Sequence, residues 1–172
     1  MLYEGFGQEG GTAPKYHNGG FTLIEILVVV AVLMIAAVMV VPMMSSAGSV
    51  QLRSAANMLA ADLEFAKSVS ITTGQNHTVV FDSVAERYSI ENASGDVIAH
   101  PVKKGFNYSM DFTSEQRLNR VTINSVDFNS ASQVQFDCLG SPDNGGTVIL
   151  EADGETLTVN VEPVTGFISI LD

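Results

Sequence analysis

Few residues in this sequence have the type and spacing that chemistry requires. His77 and His100 lie far apart, and no nucleophile elbow, HExxH zinc pattern or phosphate-binding loop accompanies either of them. The glycine-rich stretch 140–146 contains no lysine, so it is typical of a turn and not of a P-loop. The sequence therefore predicts a protein that is not an enzyme and that carries no cofactor.

Calcium is the one metal for which the sequence offers candidate ligands. Asp137, Asp143 and Asn144 could supply oxygen atoms, but calcium binds six to eight of them, and two carboxylates six residues apart fall short. We therefore expect a polar loop without a metal. Cys138 is the single cysteine, which excludes an intrachain disulfide and a cysteine-cluster metal site. We expect it to be a small buried hydrophobe.

The composition excludes several classes of function. The chain has 172 residues, a length that allows one domain and an appendage. Eight lysines and arginines against 19 acidic residues give a net charge of -11. Such a chain is poorly suited to binding nucleic-acid phosphates or anionic lipid surfaces, so we expect no nucleic acid among its partners. With 46% apolar and 16% charged residues, it is not disordered by composition.

One apolar segment dominates the sequence. In the 21 residues from Phe21 to Val41, Glu25 is the only charge. As a helix this run would be roughly 31 Å long, about the thickness of a bilayer's hydrocarbon core. It is apolar on every face, which disfavours a core helix of a small domain. A cleaved signal peptide fits less well, because the run exceeds the usual apolar region of about 7–15 residues.

The residues that open this run form a specific motif. The string Gly20-Phe21-Thr22-Leu23-Ile24-Glu25 resembles the processing site of type IV prepilins and type II secretion pseudopilins. The resemblance implies that a membrane prepilin peptidase cleaves between Gly20 and Phe21 and methylates the new amine of Phe21. Residues 1–20 would then be a leader peptide. Pro42 falls where these proteins commonly have a helix-kinking proline.

Glu25 is the residue of the run that most needs an explanation. A carboxylate costs on the order of 2.5–3.5 kcal/mol at the centre of a membrane helix, and less near its ends. Only five residues into the run, Glu25 could extend its carboxylate to the lipid headgroups. The resemblance implies a second role, in which Glu25 pairs with the N-terminal amine of a neighbouring subunit. Such a pair would favour assembled subunits in one register.

The sequence after this run predicts a second helix. From about residue 50 to 72, apolar residues recur at spacings of three and four, and Gly74 follows as a stop. Asp62 belongs to the polar residues on the other faces. A small, flexible stretch at 45–49 separates this helix from the apolar run. Its apolar stripe predicts packing against a sheet.

The remaining sequence predicts β-strands. Alternating and β-rich patterns indicate strands at residues 77–82, 87–91, 97–102, 106–112, 121–128, 134–136, 147–152, 156–162 and 167–171. The turn Asp153-Gly154-Glu155 predicts a hairpin, and we expect the carboxylates of Glu151, Asp153 and Glu155 to form its solvated face. The predicted fold class is α+β: a long N-terminal helix, with a membrane-spanning half and an amphipathic half, packed on antiparallel sheet.

This pilin-like layout extends the resemblance to the GspH/FimT group of minor pseudopilins. The matching residues are the helix segments 52–55 and 63–67, the strand 79–81, the string 136–140 and the closing strand 166–170. The resemblance implies a minor pseudopilin at or near the tip of a type II secretion pseudopilus. Its partners would be the prepilin peptidase, other major and minor pseudopilins and the inner membrane.

The same resemblance divides the chain and leaves two rivals. Residues 1–20 would be the leader, 21–44 the transmembrane and filament-core helix, and 45–172 a periplasmic head on a single-pass anchor. One rival is a FimT-type minor pilin of a type IV pilus. Its DNA-binding relatives use arginines near the C-terminus, whereas this chain has no lysine or arginine after Arg120. The other rival is an unrelated single-pass membrane protein or secreted binding domain.

Overall fold

A long helix opens the structure. The computed structural model describes residues 20–172, with the side chains of 38–46 excepted, and helix α1 runs from Leu23 to Thr73. The predicted leader peptide, residues 1–20, lies outside the described residues except for Gly20. The sequence predicts two helical segments separated at 45–49, whereas the structure has one continuous helix. The helix can continue because residues 45–49 contain no proline, and their serines and alanine are compatible with a helix.

The chain divides into two compact units, Met1–Met39 and Val40–Asp172. We call the second unit the head. The predicted apolar stripe of α1 has seven members in the head. Six of them are buried, Leu52, Ala55, Ala56, Leu59, Leu63 and Ala66, and Val69 is half-buried. Gly74, with φ of 66°, follows the last helical residue in the left-handed conformation that commonly ends helices. The predicted stop is therefore in place.

Two four-stranded antiparallel sheets follow the helix. The strands are β1 (His77–Asp82), β2 (Arg87–Glu91), β3 (Ser109–Asp111), β4 (Thr122–Asp127), β5 (Gln133–Phe136), β6 (Gly146–Ala152), β7 (Glu155–Val161) and β8 (Ile168–Leu171). The first sheet has the order β3-β2-β1-β5, and the second has the order β4-β6-β7-β8. Glu86, in the β1–β2 turn, accepts a hydrogen bond from the backbone N–H of Ile123 in β4 and so joins the two sheets.

One core serves the helix and both sheets. In β6 and β7 buried residues alternate with partly exposed ones, as expected for strands with one buried face. The stripe of α1 and the inward faces of both sheets form a single buried cluster, with Phe112, Phe128 and Phe136 among its largest members. Every residue of this cluster lies between Leu52 and Val161, so the head contains its own core.

Two further expectations from the sequence are wrong. Residues 97–102 form no strand; they have only isolated bridges, Glu91 with Val97 and Ala99 with Asn107. Pro101 lacks the N–H that a ladder needs, and the segment turns back at once through Gly105. Cys138 is exposed rather than buried. It lies in the turn after β5, where the strand alternation that suggested burial has ended.

Candidate processing and assembly site

Thr22 caps the first turn of α1. Its hydroxyl oxygen accepts a hydrogen bond from the backbone N–H of Glu25 at 3.2 Å, and its carbonyl accepts one from the N–H of Ile26 at 3.2 Å. Thr22 is therefore the N-cap, and Glu25 is the third helical residue. The spacing is that of the capping box, in which threonine is followed three residues later by glutamate. The positive end of the helix dipole also favours a carboxylate in this turn.

Gly20 and Phe21 precede the helix and are exposed. A Cβ atom built on Gly20 has no atom of the described residues within 4 Å. The Phe21 side chain is 79% exposed. The peptide bond between the two residues is thus accessible, and nothing in the described chain requires residue 20 to be glycine. Any requirement for glycine at this position must come from a partner.

The apolar side chains of the first helical turns are exposed as well. Leu23, Ile24, Leu33, Met34 and Ile35 are each more than 60% exposed. Within residues 20–37 and 47–172, no helix combines the length and the apolar character that a membrane crossing requires. The predicted membrane segment 21–44 and the predicted kink at Pro42 extend into residues 38–46, whose side chains lie outside the description. Both stay predictions.

Asp62 anchors the helix to the sheet side of the head. Its carboxylate accepts hydrogen bonds from the hydroxyls of Tyr88, at 2.6 Å, and Tyr108, at 2.8 Å. Burial raises the pKa of the Tyr88 hydroxyl well above its usual value, and the nearby charge of Asp62 raises it further. Burial and the hydrogen bond to Asp62 likewise raise the pKa of Tyr108. The sequence placed Asp62 on a polar face and did not predict this contact.

A second polar contact ties the β6–β7 turn to the helix. The Arg120 guanidinium donates to Asp153 Oδ2 at 2.9 Å, and the Arg120 backbone N–H donates to Gln51 Oε1 at 3.2 Å. Gly48 packs so closely that a Cβ atom there would lie 2.2 Å from Asp153 Oδ2. Asp153 was predicted to lie on a solvated face; it is exposed, and it is also ion-paired.

The residues considered for calcium have other tasks in the loops after β5. Asp137 Oδ1 accepts from the backbone N–H groups of Leu139, at 2.9 Å, and Ser141, at 2.8 Å. Asp143 Oδ1 accepts from the N–H of Gln135 at 3.0 Å. Asp137 thus shapes the turn after β5, and Asp143 binds the backbone of β5 itself. In the part of the chain that the structure describes, no three acidic, histidine or cysteine side chains are grouped as metal ligands.

Two sequence families match this chain. Residues 15–41 match the prokaryotic N-terminal methylation motif, and residues 55–165 match the type II transport protein GspH family. The chain belongs to the GspH family. The GspH match includes β1 to β7 and the part of α1 that carries Asp62. No curated protein sequence is significantly similar to this chain.

Solved structures share the fold of this GspH family member. The minor pseudopilin EpsH from the type 2 secretion system of Vibrio cholerae matches with a TM-score of 0.55 and 15% identity, over 70% of this chain and 96% of that one. The type IV minor pilin FimU of Pseudomonas aeruginosa PAO1 matches with a TM-score of 0.51 and 20% identity, over 70% of this chain and 88% of that one. Because the identities are so low, these matches establish the fold and nothing more.

The family and the fold confirm the central predictions. The pilin-like α+β fold, with a long helix packed on antiparallel sheet, is confirmed. The predicted membership in the GspH group is confirmed, and with it the prediction of a minor pseudopilin of type II secretion. The family is one of structural, membrane-anchored periplasmic subunits. Members assemble with other pseudopilins after their N-terminal motif is processed.

Proposed function

We propose that this GspH family member is a structural subunit at or near the tip of a type II secretion pseudopilus. The observation that carries the proposal is the order of its parts. An exposed Gly20–Phe21 bond precedes a capped apolar helix, and a folded head with its own core follows. We infer that the chain is a substrate of the prepilin peptidase and is not itself an enzyme.

Processing would create the assembly group. Hydrolysis of the Gly20–Phe21 bond leaves a carboxylate on Gly20 and an amine on Phe21, and methylation replaces one N–H of that amine while it remains a cation. The new terminus then lies two residues before the start of α1, and Glu25 lies in the first turn. One positive and one negative group thus occupy the same end of the helix, within reach of neighbouring subunits.

Glu25 would set the register of assembly. Each of the two charges is costly alone in an apolar filament core, whereas a pair formed between subunits removes both penalties. The exposed apolar side chains of the first turns of α1 would be covered by lipid before assembly and by other pseudopilin helices afterwards. We propose a single-pass anchor in the inner membrane at residues 21–44, with the head in the periplasm.

The alternative is a minor pilin of a type IV pilus. The fold match to FimU is compatible with it. The charge of the head argues against one task of such pilins, DNA uptake: residues 121–172 contain eight acidic residues and no lysine or arginine. Phosphate contacts need cations, so this half of the head is unsuited to nucleic acid.

Two measurements test the proposal. Mass spectrometry of the chain isolated from membranes should find a mature N-terminus at methylated Phe21. Purification of the tagged chain from the same membranes should bring other pseudopilins with it. An N-terminus at Met1 would indicate a plain membrane anchor, and one near Gly48 a secreted protein; either result rejects the proposal. Co-purification with type IV pilins instead of pseudopilins would favour the alternative.

A further inference from the structure

The connection between β2 and β3 contains an exposed loop with both apolar and cationic side chains. We call residues 100–106 the Lys103 loop. Val102 is 81% exposed and Phe106 is 67% exposed, and Lys103 and Lys104 lie between them, both exposed. A loop that presents two large apolar side chains beside two cations has the composition of a contact surface more than that of a solvated turn.

The loop is held against helix α1 by three stacked rings. His100 stacks on Tyr108, with ring centroids 4.8 Å apart and an interplanar angle of 11°. Tyr108 stacks in turn on Phe65 of α1, at 5.0 Å and 14°. The Tyr108 hydroxyl also donates to Asp62, one turn before Phe65. The base of the loop is therefore fixed to a half-buried part of the helix, at Asp62 and Phe65.

The histidine also shapes the tip of the loop. His100 Nδ1 accepts hydrogen bonds from the backbone N–H groups of Val102 and Lys103, both at 3.1 Å. The backbone N–H of His100 donates a hydrogen bond to the backbone carbonyl of Phe106 at 2.8 Å and closes the loop. The exposed side chains are thus presented by an ordered backbone. Binding through such a surface loses less conformational entropy than binding through a mobile loop.

The two lysines belong to the three cations of the head, out of seven, that have no acidic partner among the described residues. In the described part of the chain, the ammonium groups of Lys103 and Lys104 form no ion pair or side-chain hydrogen bond, and Arg117 is the one other such cation. The remaining lysines and arginines are paired: Arg53 with Asp172, Lys67 with Glu64, Arg87 with Asp82 and Arg120 with Asp153. Lys103 also lines a groove of about 370 Å³ with Met58 and Phe106.

We propose that the Lys103 loop is a docking site for an acidic surface on the head of a neighbouring pseudopilin. Carboxylates of the partner would pair with Lys103 and Lys104. An apolar side chain of the partner would enter the groove between Met58 and Phe106. Charge complementarity identifies the occupant, since unpaired cations on a chain of net charge -11 attract anionic groups locally. This inference rests on the proposed assembly into a pseudopilus.

A protein fits this loop better than the other anionic macromolecules. Two lysines neutralise two phosphates at most, whereas stable binding to nucleic acid at physiological salt uses several contacts, and the acidic remainder of the head would repel the strand. The same repulsion applies to an anionic membrane, where each lysine contributes only about 1 kcal/mol. A protein surface with a few carboxylates around an apolar side chain meets no such penalty.

The test uses the full chain in its native membranes, with a photocrosslinking amino acid in place of Val102. We expect an adduct with a pseudopilin other than this chain, and mass spectrometry should map it to a segment rich in Asp and Glu. Lys103→Glu should lower the adduct yield about tenfold, because like charges would then face each other. Lys103→Arg should restore the yield. Arg117→Glu, which changes the charge equally at the other unpaired cation, should leave it unchanged.

Each other outcome overturns the inference. An adduct with nucleic acid or lipid alone, an adduct only with a second copy of this chain, or no adduct would each reject the docking site as proposed. So would an equal loss of adduct with Arg117→Glu. Failure of the proposed function can be distinguished from failure of the docking site. In that case the unsubstituted chain would lack methyl-Phe21, and no pseudopilin would co-purify with it. The docking site would then be rejected as well.

Discussion

The Tyr88 hydroxyl donates a 2.6 Å hydrogen bond to the carboxylate of Asp62, 26 residues earlier in the chain. The Tyr88 side chain is buried and Asp62 is half-buried, so the bond lies at the edge of the core. A buried hydroxyl needs an acceptor, and here the acceptor is on the helix while the donor is on the sheet. This bond therefore fixes how α1 lies on the first sheet.

We expect Asp62→Ala to destabilise the head by about 1–3 kcal/mol, because it leaves a buried tyrosine hydroxyl without a partner. Asp62→Asn keeps an acceptor oxygen and should cost less. Urea unfolding of the head fragment 45–172, followed by circular dichroism, measures both changes. Asp96→Asn, on an exposed turn, is the control and should have little effect. Equal stability of the Ala variant and the unsubstituted fragment would mean that water replaces Asp62.

The same cluster predicts a loss of stability at alkaline pH. The folded state raises the pKa of Tyr88 and Tyr108 above their usual value of 10.0, so it favours the neutral hydroxyls. Their contribution is fully present below pH 10 and is lost as pH rises from there toward the folded pKa. Tyr108→Phe should flatten the decline in unfolding free energy above pH 10. A decline equally steep in that variant would place its origin elsewhere.

The close approach of Gly48 to Asp153 predicts that the effect of Gly48→Ala on stability depends on the residue at position 153. A Cβ at residue 48 would overlap Asp153 Oδ2, so Gly48→Ala must displace that carboxylate from Arg120. All three of the nearest atoms belong to the Asp153 side chain, so the overlap with them is absent in the chain with Asp153→Gly, and alanine at residue 48 should then stabilise the helix by up to about 1 kcal/mol relative to glycine.

A double-mutant cycle on fragment 45–172 measures this coupling. The expected result is that Gly48→Ala lowers the urea midpoint of the unsubstituted fragment and raises the midpoint of the fragment that carries Asp153→Gly. Simple additivity of the two substitutions would show that the helix and the β6–β7 turn are not coupled through these residues.

The parts of the fold that could be predicted from sequence are those with a strong local pattern. The strands His77–Asp82 and Arg87–Glu91 are predicted with the observed bounds because both are rich in β-forming residues and end at turn residues. The turn Asp153-Gly154 has φ values of 52° and 83°, as a two-residue hairpin with two left-handed residues requires. The buried stripe of α1 followed from its spacing.

The parts that could not be predicted depend on distant residues. Asp62 has the pattern of a solvent-facing helix residue, and only the fold brings Tyr88 and Tyr108 to it. The Lys103 loop depends on a stack between Phe65 and Tyr108, which are far apart in sequence. Cys138 was assigned to the core from its strand neighbours, but the chain has already turned outward there. Local periodicity contains no information on such contacts.

Processing should depend on Gly20 for reasons outside this chain. Its surroundings are open in the structure, so a side chain there would not disturb the fold. We expect Gly20→Trp to retain the leader, because an indole cannot enter a cleft shaped for glycine, and Gly20→Ala to be cleaved more slowly than the unsubstituted chain. Mass spectrometry of the membrane fraction reads the N-terminus. A mature chain starting at Phe21 in the Trp variant would refute the processing site.

Glu25 should matter for assembly and not for insertion or cleavage. Leucine favours insertion by several tenths of a kcal/mol, so Glu25→Leu should reach the membrane and lose its leader normally. In the pseudopilus the methylated Phe21 amine of an adjacent subunit would then be buried without a partner, a loss that can reach about 3–5 kcal/mol. We therefore expect the mature variant to co-purify poorly with its partner pseudopilins.

The helix cap provides the matched control for this experiment. Thr22→Ala removes the hydroxyl that accepts from the Glu25 N–H, at a cost of about 1 kcal/mol to the helix end, but keeps the carboxylate. If charge pairing is the role of Glu25, Thr22→Ala should co-purify with pseudopilins nearly as well as the unsubstituted chain, and Glu25→Leu should not. If Thr22→Ala and Glu25→Leu reduce association equally, assembly depends on the helical structure of the first turn of α1 and not on the charge of Glu25. A subunit at the very tip has no neighbour above it to supply the amine, so undiminished association of Glu25→Leu with normal secretion would remove the pairing role and place the chain at that end.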